Sequence, residues 1–213
     1  MEEETPICPK CNKNLCYWNA KKQWWEFCKE CQASSISCDD INRLKKAYGI
    51  PEAYLNASLD MFRPDVVEAI RANSNNFHKN IMLTGESFVG KTTFLAAIVN
   101  SIVEQYKFKS PNILFVNVFE LMETIKNKTL YFDSLDSCKK CDILVFDDIV
   151  SSYTDDEYKF LYSVLNHRNN EMKTTHSSTN SSEMESRLKS RLIRDGGLEI
   201  SLSMKSRNNM FGA

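Results

Sequence analysis

The chain has 213 residues, with 27 basic and 28 acidic side chains, a formal net charge of −1 and a 42% hydrophobic share. That apolar content excludes a chain disordered throughout, and the near-neutral charge excludes a polybasic, histone-like binder of nucleic acid. The length allows one domain of ordinary size plus a small module.

The N-terminal segment is set apart by composition. Of eight cysteines, six lie in the first 38 residues: Cys8, Cys11, Cys16, Cys28, Cys31 and Cys38. All three tryptophans, Trp18, Trp24 and Trp25, fall there too, which puts a domain boundary near residue 40. Two Cys-x2-Cys knuckles, Cys8/Cys11 and Cys28/Cys31, stand sixteen residues apart. Each knuckle can turn two thiolates onto one ion, and zinc accepts four sulfurs in a tetrahedron without redox chemistry. A segment of forty residues with few aliphatics is too small to fold without such a staple. Cys16 and Cys38 are spare thiols, either able to replace one of the four. Tyr17, Trp18, Trp24, Trp25 and Phe27 form the small core around the metal or expose a ring for docking. If residues 24 and 25 lie in a strand, their rings point to opposite faces.

The opening, MEEETP, lacks both the basic start and the apolar stretch of a secretory signal. The apolar runs, such as residues 143–146, span only a few residues, far below the roughly 18 needed for a membrane span. A cytoplasmic protein is expected, so thiols or metal sites are favoured over disulfides.

Beyond residue 40 the pattern becomes alternating strands and helices. A strand is expected over 79–84, a helix over 91–106, a strand over 113–116 and a helix over 118–125. A buried strand over 143–146, a helix over 155–168, a strand over 174–179, a helix over 183–193 and a strand over 198–202 follow. Such alternation argues an α/β domain with a parallel sheet and helices on both faces.

Residues 85–92 read GESFVGKT, between an expected strand and an expected helix. This is G-x-x-x-x-G-K-[ST], the phosphate-binding loop. Gly85 and Gly90 allow backbone angles that turn the amides of Glu86, Val89 and their neighbours inward, where a helix N-terminus adds its dipole. Lys91 reaches the β- and γ-phosphates, Thr92 ligates magnesium, and Thr93 follows. The complementary acid should end a buried strand, and ILVFDD at 143–148 supplies it. Asp147 can hold magnesium through water. Asp148 stands where many ATPases place the glutamate that polarises the attacking water; aspartate is shorter, so a shifted water is implied.

Asn180 ends the strand TTHSSTN, which would lie beside the acidic strand, where its amide can orient the lytic water. Arg191, at the end of the following helix, is suited to act as a cation across a subunit interface, and Arg207 to sense nucleotide. Arg187 and Arg194 are rivals, and a solvated helix face is the plain alternative for any of them. His78, His167 and His176 read as structural, His176 inside a buried strand. Cys138 and Cys141 read as free thiols in a loop before the acidic strand.

Taken in order, GIPEAYLNASL from Gly49, GESFVGKTTF, ILVFDDI, TTHSSTN, RLKSRLIRDGG and SRN resemble the DnaC/DnaI/IstB group of AAA+ ATPases, the bacterial and phage replicative-helicase loaders and transposition helpers. The resemblance covers roughly residues 41–213. It implies a five-stranded parallel sheet in order 5-1-4-3-2, ATP and magnesium as cofactors, and self-assembly with nucleotide between neighbours. It assigns Lys91 and Thr92 to the first nucleotide motif, Asp147 and Asp148 to the second, Asn180 to the first sensor, Arg191 to the finger and Arg207 to the second sensor. Ile50 and Pro51 would lie near the adenine. The sequence stops soon after Arg207, so no helical lid is expected. Loaders of this group with an N-terminal zinc domain use it on the helicase; the module here is shorter, as in a phage-encoded loader. Lys126, Lys128, Lys139 and Lys140, with Tyr131 and Phe132, could carry single-strand contacts or form a solvated connector.

The expected function is an ATP-dependent loader of a replicative hexameric DNA helicase onto single-stranded DNA, gripping the helicase through a zinc module at 1–40 and working through the ATPase domain at 41–213. An IstB-like transposition helper is the alternative in the same fold. A zinc-containing P-loop nucleoside kinase is the alternative from another class, although in such kinases the zinc element follows the nucleotide core. A binding module with a degenerate ATP site is disfavoured by intact Lys91, Thr92 and Asp147.

Overall fold

The computed structural model describes residues 17–19, 24–26, 38–73, 77–106, 110–126, 128–180 and 184–206. Cys8, Cys11, Cys16, Cys28, Cys31 and Arg207 lie outside these residues. The chain divides into two compact units, Met1–Arg43 and Leu44–Ala213.

In the first unit, β1 (Tyr17–Asn19) and β2 (Trp24–Glu26) pair antiparallel, with Trp18 opposite Trp25. Helix α1 (Cys38–Ala47) runs across the division between the units and carries Asp39 and Asp40 in its first turn and Lys45 and Lys46 in its last, the arrangement that complements the helix dipole.

In the second unit the elements run α2 (Pro64–Asn73), β3 (Ile81–Thr84), α3 (Lys91–Tyr106), β4 (Ile113–Asn117) and α4 (Val118–Ile125). They continue with α5 (Lys128–Lys140), β5 (Ile143–Ile149), α6 (Asp155–Asn170), β6 (Thr174–Thr179), α7 (Ser186–Leu192) and β7 (Leu198–Ser201). The five strands β3 to β7 form one parallel sheet in the order β4-β5-β6-β3-β7. Numbered along the domain, that is the expected 5-1-4-3-2 order. Parallel strands covered on both faces need no polar face, which accounts for the nearly continuous apolar run of β5. Leu144 and Phe146 pack with α4, α5, α6 and α7 on one face, in a cluster that includes Leu121, Phe160, Leu161 and Val164. Helix α3 packs against β5 and β6 and buries Phe94, Leu95, Ile98, Val99 and Val103 completely. Among the described residues no helix is long and apolar enough to cross a membrane.

Several elements differ from the sequence reading. Strand β5 runs three residues past the expected end, through both acids. Helix α7 is shorter than expected at both ends. Cys138 is in a helix, not a loop: α5 places Tyr131, Leu135 and Cys138 on one face at i, i+4 and i+7, and all three join the core cluster. Polar and aromatic members dilute that stripe, and Phe132 stands exposed beside it, so the period is hard to see. Burial and the neighbouring Cys141 push the Cys138 thiol up to about 12, so it is unreactive. Lys126 and Lys140 are paired with Glu123 and Asp136, and Tyr131 packs edge-on against Phe160.

Arg168 is fully buried and has no carboxylate partner among its hydrogen bonds. Its guanidinium donates to the carbonyls of Cys138, Cys141, Asp142 and Thr174 at 2.6–3.1 Å, to Thr175 Oγ1 at 2.9 Å and to Cys141 Sγ at 3.2 Å. One cation thus closes the end of α5, the entry to β5 and the entry to β6. It also satisfies carbonyls that would be orphaned at a buried helix end.

Candidate nucleotide site

The site lies at the C-terminal edge of the sheet. Strand β3 ends at Thr84, and the loop to α3 turns through positive φ at Gly85 (141°), Phe88 (65°) and Gly90 (101°). Gly85 has a second constraint. A Cβ there would lie 2.3 Å from the Leu202 carbonyl oxygen, because Leu202 N–H donates to Thr84 and draws the chain after β7 against the loop. Phe88 holds a left-handed backbone with a side chain 93% exposed, a strained conformation of the sort retained at functional loops. Val89 is buried and Glu86 is exposed. Lys91 opens α3. Its Nζ donates to the Gly85 and Glu86 carbonyls at 2.9 and 2.7 Å, which sets the ammonium across the loop. Burial lowers its pKa against the pull of Asp148 and Asp147.

The two acids are placed by an irregularity in β5. Phe146 pairs with Ser177 and Ile149 with Thr179, so Asp147 and Asp148 together face the single residue Ser178. This is a β-bulge, which bends a strand and re-aims its side chains. Asp148 sits in it with φ 62°. Asp147 is 5% exposed and accepts from Thr92 Oγ1 at 2.9 and 3.1 Å and from Ser178 Oγ at 2.5 Å. Burial raises its pKa, opposed first by the Ser178 bond and then by that of Thr92. Asn180, one residue past β6, donates from Nδ2 to Asp148 Oδ1 at 2.9 Å. Among the described residues no group of three or more His, Cys, Asp or Glu is set to hold a metal. The oxygen donors of Thr92 and Asp147 nonetheless suit magnesium, a hard cation that takes few protein ligands and keeps several waters.

These residues line an open cleft of roughly 870 Å³. Gly90, Lys91, Thr92, Thr93, Asp147, Asp148, Ser178 and Asn180 form one side. Gly49, Pro51 and Tyr54, with Phe115, Asn117 and Glu120 at the end of β4 and the start of α4, form the other. Gly49 is needed there: its φ is 87°, and a Cβ would meet the Phe115 carbonyl oxygen at 2.2 Å. Ile50 is buried behind this wall.

Arg191 is outside the cleft. Its guanidinium lies 4.2 Å from the ring centroid of Tyr162 and donates to Tyr162 Oη at 2.6 Å and to Asn166 Oδ1 at 3.4 Å, on the surface of α6. The structure therefore brings together Lys91, Thr92, Thr93, Asp147, Asp148 and Asn180, and sets Arg191 apart. Ser178, Tyr54 and Asn117 carry no motif signal and were not foreseen; only the position of Ser178, two residues before Asn180, hints at a place near the acids.

No family model and no curated protein matches the chain. Solved structures do. A putative primosome component from Streptococcus pyogenes serotype M3 superposes with a TM-score of 0.62 at 20% identity, covering 81% of this chain and all of that one. DnaI matches with a TM-score of 0.58 at 23% identity over 72% of this chain and 94% of its own. A DnaC helicase loader matches with 0.56 at 23% identity, again over 72% of this chain and all of its own. The chain has the AAA+ P-loop fold. Within the AAA+ fold the cleft occupies the switch between β3 and its neighbour β6, outside the carboxyl ends of parallel strands where such sheets bind ligands.

Proposed function

We propose that the Leu44–Ala213 unit binds magnesium–ATP in this cleft and hydrolyses it, and that the chain is an ATP-dependent loader of a replicative DNA helicase onto single-stranded DNA. The observation that carries the ATPase reading is the convergence of Lys91, Thr92, the bulged Asp147–Asp148 pair and Asn180 at the mouth of one loop. The fold shared with DnaI and with a DnaC helicase loader supports the loader reading.

The loop amides and the start of α3 would cradle the phosphates, and Lys91 would exchange its two loop carbonyls for phosphate oxygens. Thr92 and Asp147 would hold magnesium, which when bound neutralises phosphate charge and polarises the bond to be broken. Asp148 orients a water and takes its proton, and the bond from Asn180 fixes the carboxylate while leaving acceptor capacity for that water. Arg191 does not line its own cleft and rests on Tyr162, so its charge is suited to a neighbouring copy's nucleotide, where a finger would supply transition-state stabilisation. Cys8, Cys11, Cys28 and Cys31 would bind zinc and shape the helicase-gripping module.

Affinity capture from the native cell with the full chain, with ATP, ADP and a non-hydrolysable analogue compared, tests the loader reading. Recovery of a hexameric helicase supports it. Recovery of a transposase points to the helper ATPase instead, and transfer of phosphate to nucleosides rather than water points to a kinase.

A further inference from the structure

Strand β6 carries a hydroxyl that touches both acids. Ser178 is fully buried, opposite the bulge where two residues of β5 face one of β6. Its Oγ donates to Asp147 Oδ1 at 2.5 Å and accepts the Asp148 backbone N–H at 2.9 Å. A hydroxyl has one proton and two acceptor sites, so both bonds form at once. The second bond has a structural reason. A bulged residue loses its place in the ladder, and a buried N–H left without a partner is costly. Ser178 supplies the missing acceptor, and Asp148 keeps a left-handed backbone that a residue other than glycine rarely adopts. The neighbouring Ser177 is a control within the same strand: its hydroxyl is equally buried and reaches no partner.

We propose that Ser178 is a positioning residue for hydrolysis, one hydroxyl that fixes the carboxylate of Asp147 and the backbone of Asp148 in a single mutual geometry. This rests on the reading of the cleft as an ATPase site. Thr92 holds Asp147 from the loop side and Ser178 from the strand side. Strand β6 grips Asp148 twice, through its amide at Ser178 and through its carboxylate just beyond the strand at Asn180. The water-orienting acid and the metal-side acid thus move together with β6. Without Ser178, Thr92 alone would orient Asp147, and the bulge would be free to relax.

The test compares Ser178→Thr with Ser178→Val in the full chain. The two side chains have nearly the same shape and differ in one hydroxyl, so any crowding is common to both. Three quantities are read: single-turnover ATP hydrolysis, affinity for a fluorescent ATP analogue without magnesium, and amide exchange of Asp148 by NMR without nucleotide. Relative to the Thr variant, the Val variant should hydrolyse about ten- to a hundred-fold more slowly, the effect of losing a hydrogen bond to a charged group. Its magnesium-free nucleotide affinity should stay within about threefold, since the loop amides and Lys91 are untouched. Its Asp148 amide should exchange at least about tenfold faster, while Leu83 and Val145 amides in the same sheet stay protected. Equal hydrolysis and equal Asp148 exchange in the two variants would overturn the proposal. Equal loss in both, with Asp148 still protected, would also overturn it by showing crowding alone. Ser178→Ala, which removes the hydroxyl without adding bulk, gives the same comparison with wild type if neither larger side chain is accommodated. A wild-type chain that neither binds nor hydrolyses ATP would overturn the reading of the cleft, and this proposal with it.

Discussion

Replacing His176 by leucine should flatten the acid limb of the stability profile. His176 is at the centre of β6, fully buried, with neither ring nitrogen in a well-aligned hydrogen bond. Burial depresses its pKa to about 4, helped by the charge of Arg168 and by His78, and a weak interaction with the Phe77 backbone does not offset them. In the unfolded chain the ring titrates near the ordinary value of about 6.5. The sign follows from proton counting. Between those values the unfolded chain holds a proton that the folded chain does not, so the native state is favoured less as pH falls. The contribution is complete above about 6.5 and is lost progressively down to about 4. From pH 7.5 to pH 5 the loss is about 2 kcal/mol, from the ratio of protonation factors at the two pKa values. Urea unfolding followed by far-ultraviolet circular dichroism, which reports mainly the helices of the Leu44–Ala213 unit, measures it at several pH values. Carboxylates contribute a background slope common to both proteins. The wild type should lose about 2 kcal/mol more than His176→Leu over this range. Equal losses would mean that His176 is protonated in the folded state, and the account of an unpaired, neutral, buried ring would be wrong.

Other substitutions probe the supports of the site. Gly85→Ala should cost about 2–4 kcal/mol and abolish nucleotide binding, because its Cβ meets the Leu202 carbonyl at 2.3 Å and its φ is 141°; calorimetry and nucleotide titration read both effects. Arg168→Met should destabilise the chain by about 3–5 kcal/mol in urea unfolding, since two buried and two part-buried carbonyls lose the guanidinium; a cost below 1 kcal/mol would show that they find other partners. The wild-type chain should carry about one zinc ion, and Cys28→Ser should lose it; full occupancy by metal analysis in that variant would remove Cys28 from the ligand set.

The sequence was most legible where a single physical rule acts. Helices α3 and α4 and strand β6 begin and end where periodicity and the phosphate-loop pattern place them, and the sheet order follows the resemblance. Helix α5 was missed because its inward stripe is built from a tyrosine, a leucine and a cysteine, with exposed Leu130 and Phe132 off that stripe. The acids were visible as residues, but not the bulge that aims them. A bulge depends on pairing between β5 and β6, and nothing local in ILVFDD announces which residue is unpaired. Arg168 reads as one more charge at the end of an amphipathic helix, and only the convergence of three chain segments makes it a buried hub. Arg191 was visible as a cation near a helix end, whereas its stacking on Tyr162 needs two helices in contact. Side chains whose roles depend on long-range pairing have no spacing to betray them.

The central claim is that the bulged acid pair runs ATP hydrolysis in this cleft, and Asp148→Asn tests it most directly. The substitution keeps shape and removes the carboxylate's capacity to take a proton from water. Single-turnover hydrolysis and equilibrium nucleotide binding should be measured on the same preparations, with Lys91→Ala as the variant that loses phosphate binding. The account predicts that Asp148→Asn binds magnesium–ATP within about threefold of wild type and hydrolyses it at least about a hundred-fold more slowly, the range of a lost general base. Hydrolysis by Asp148→Asn at the wild-type rate would contradict the role given to Asp148 and to the bulge that presents it.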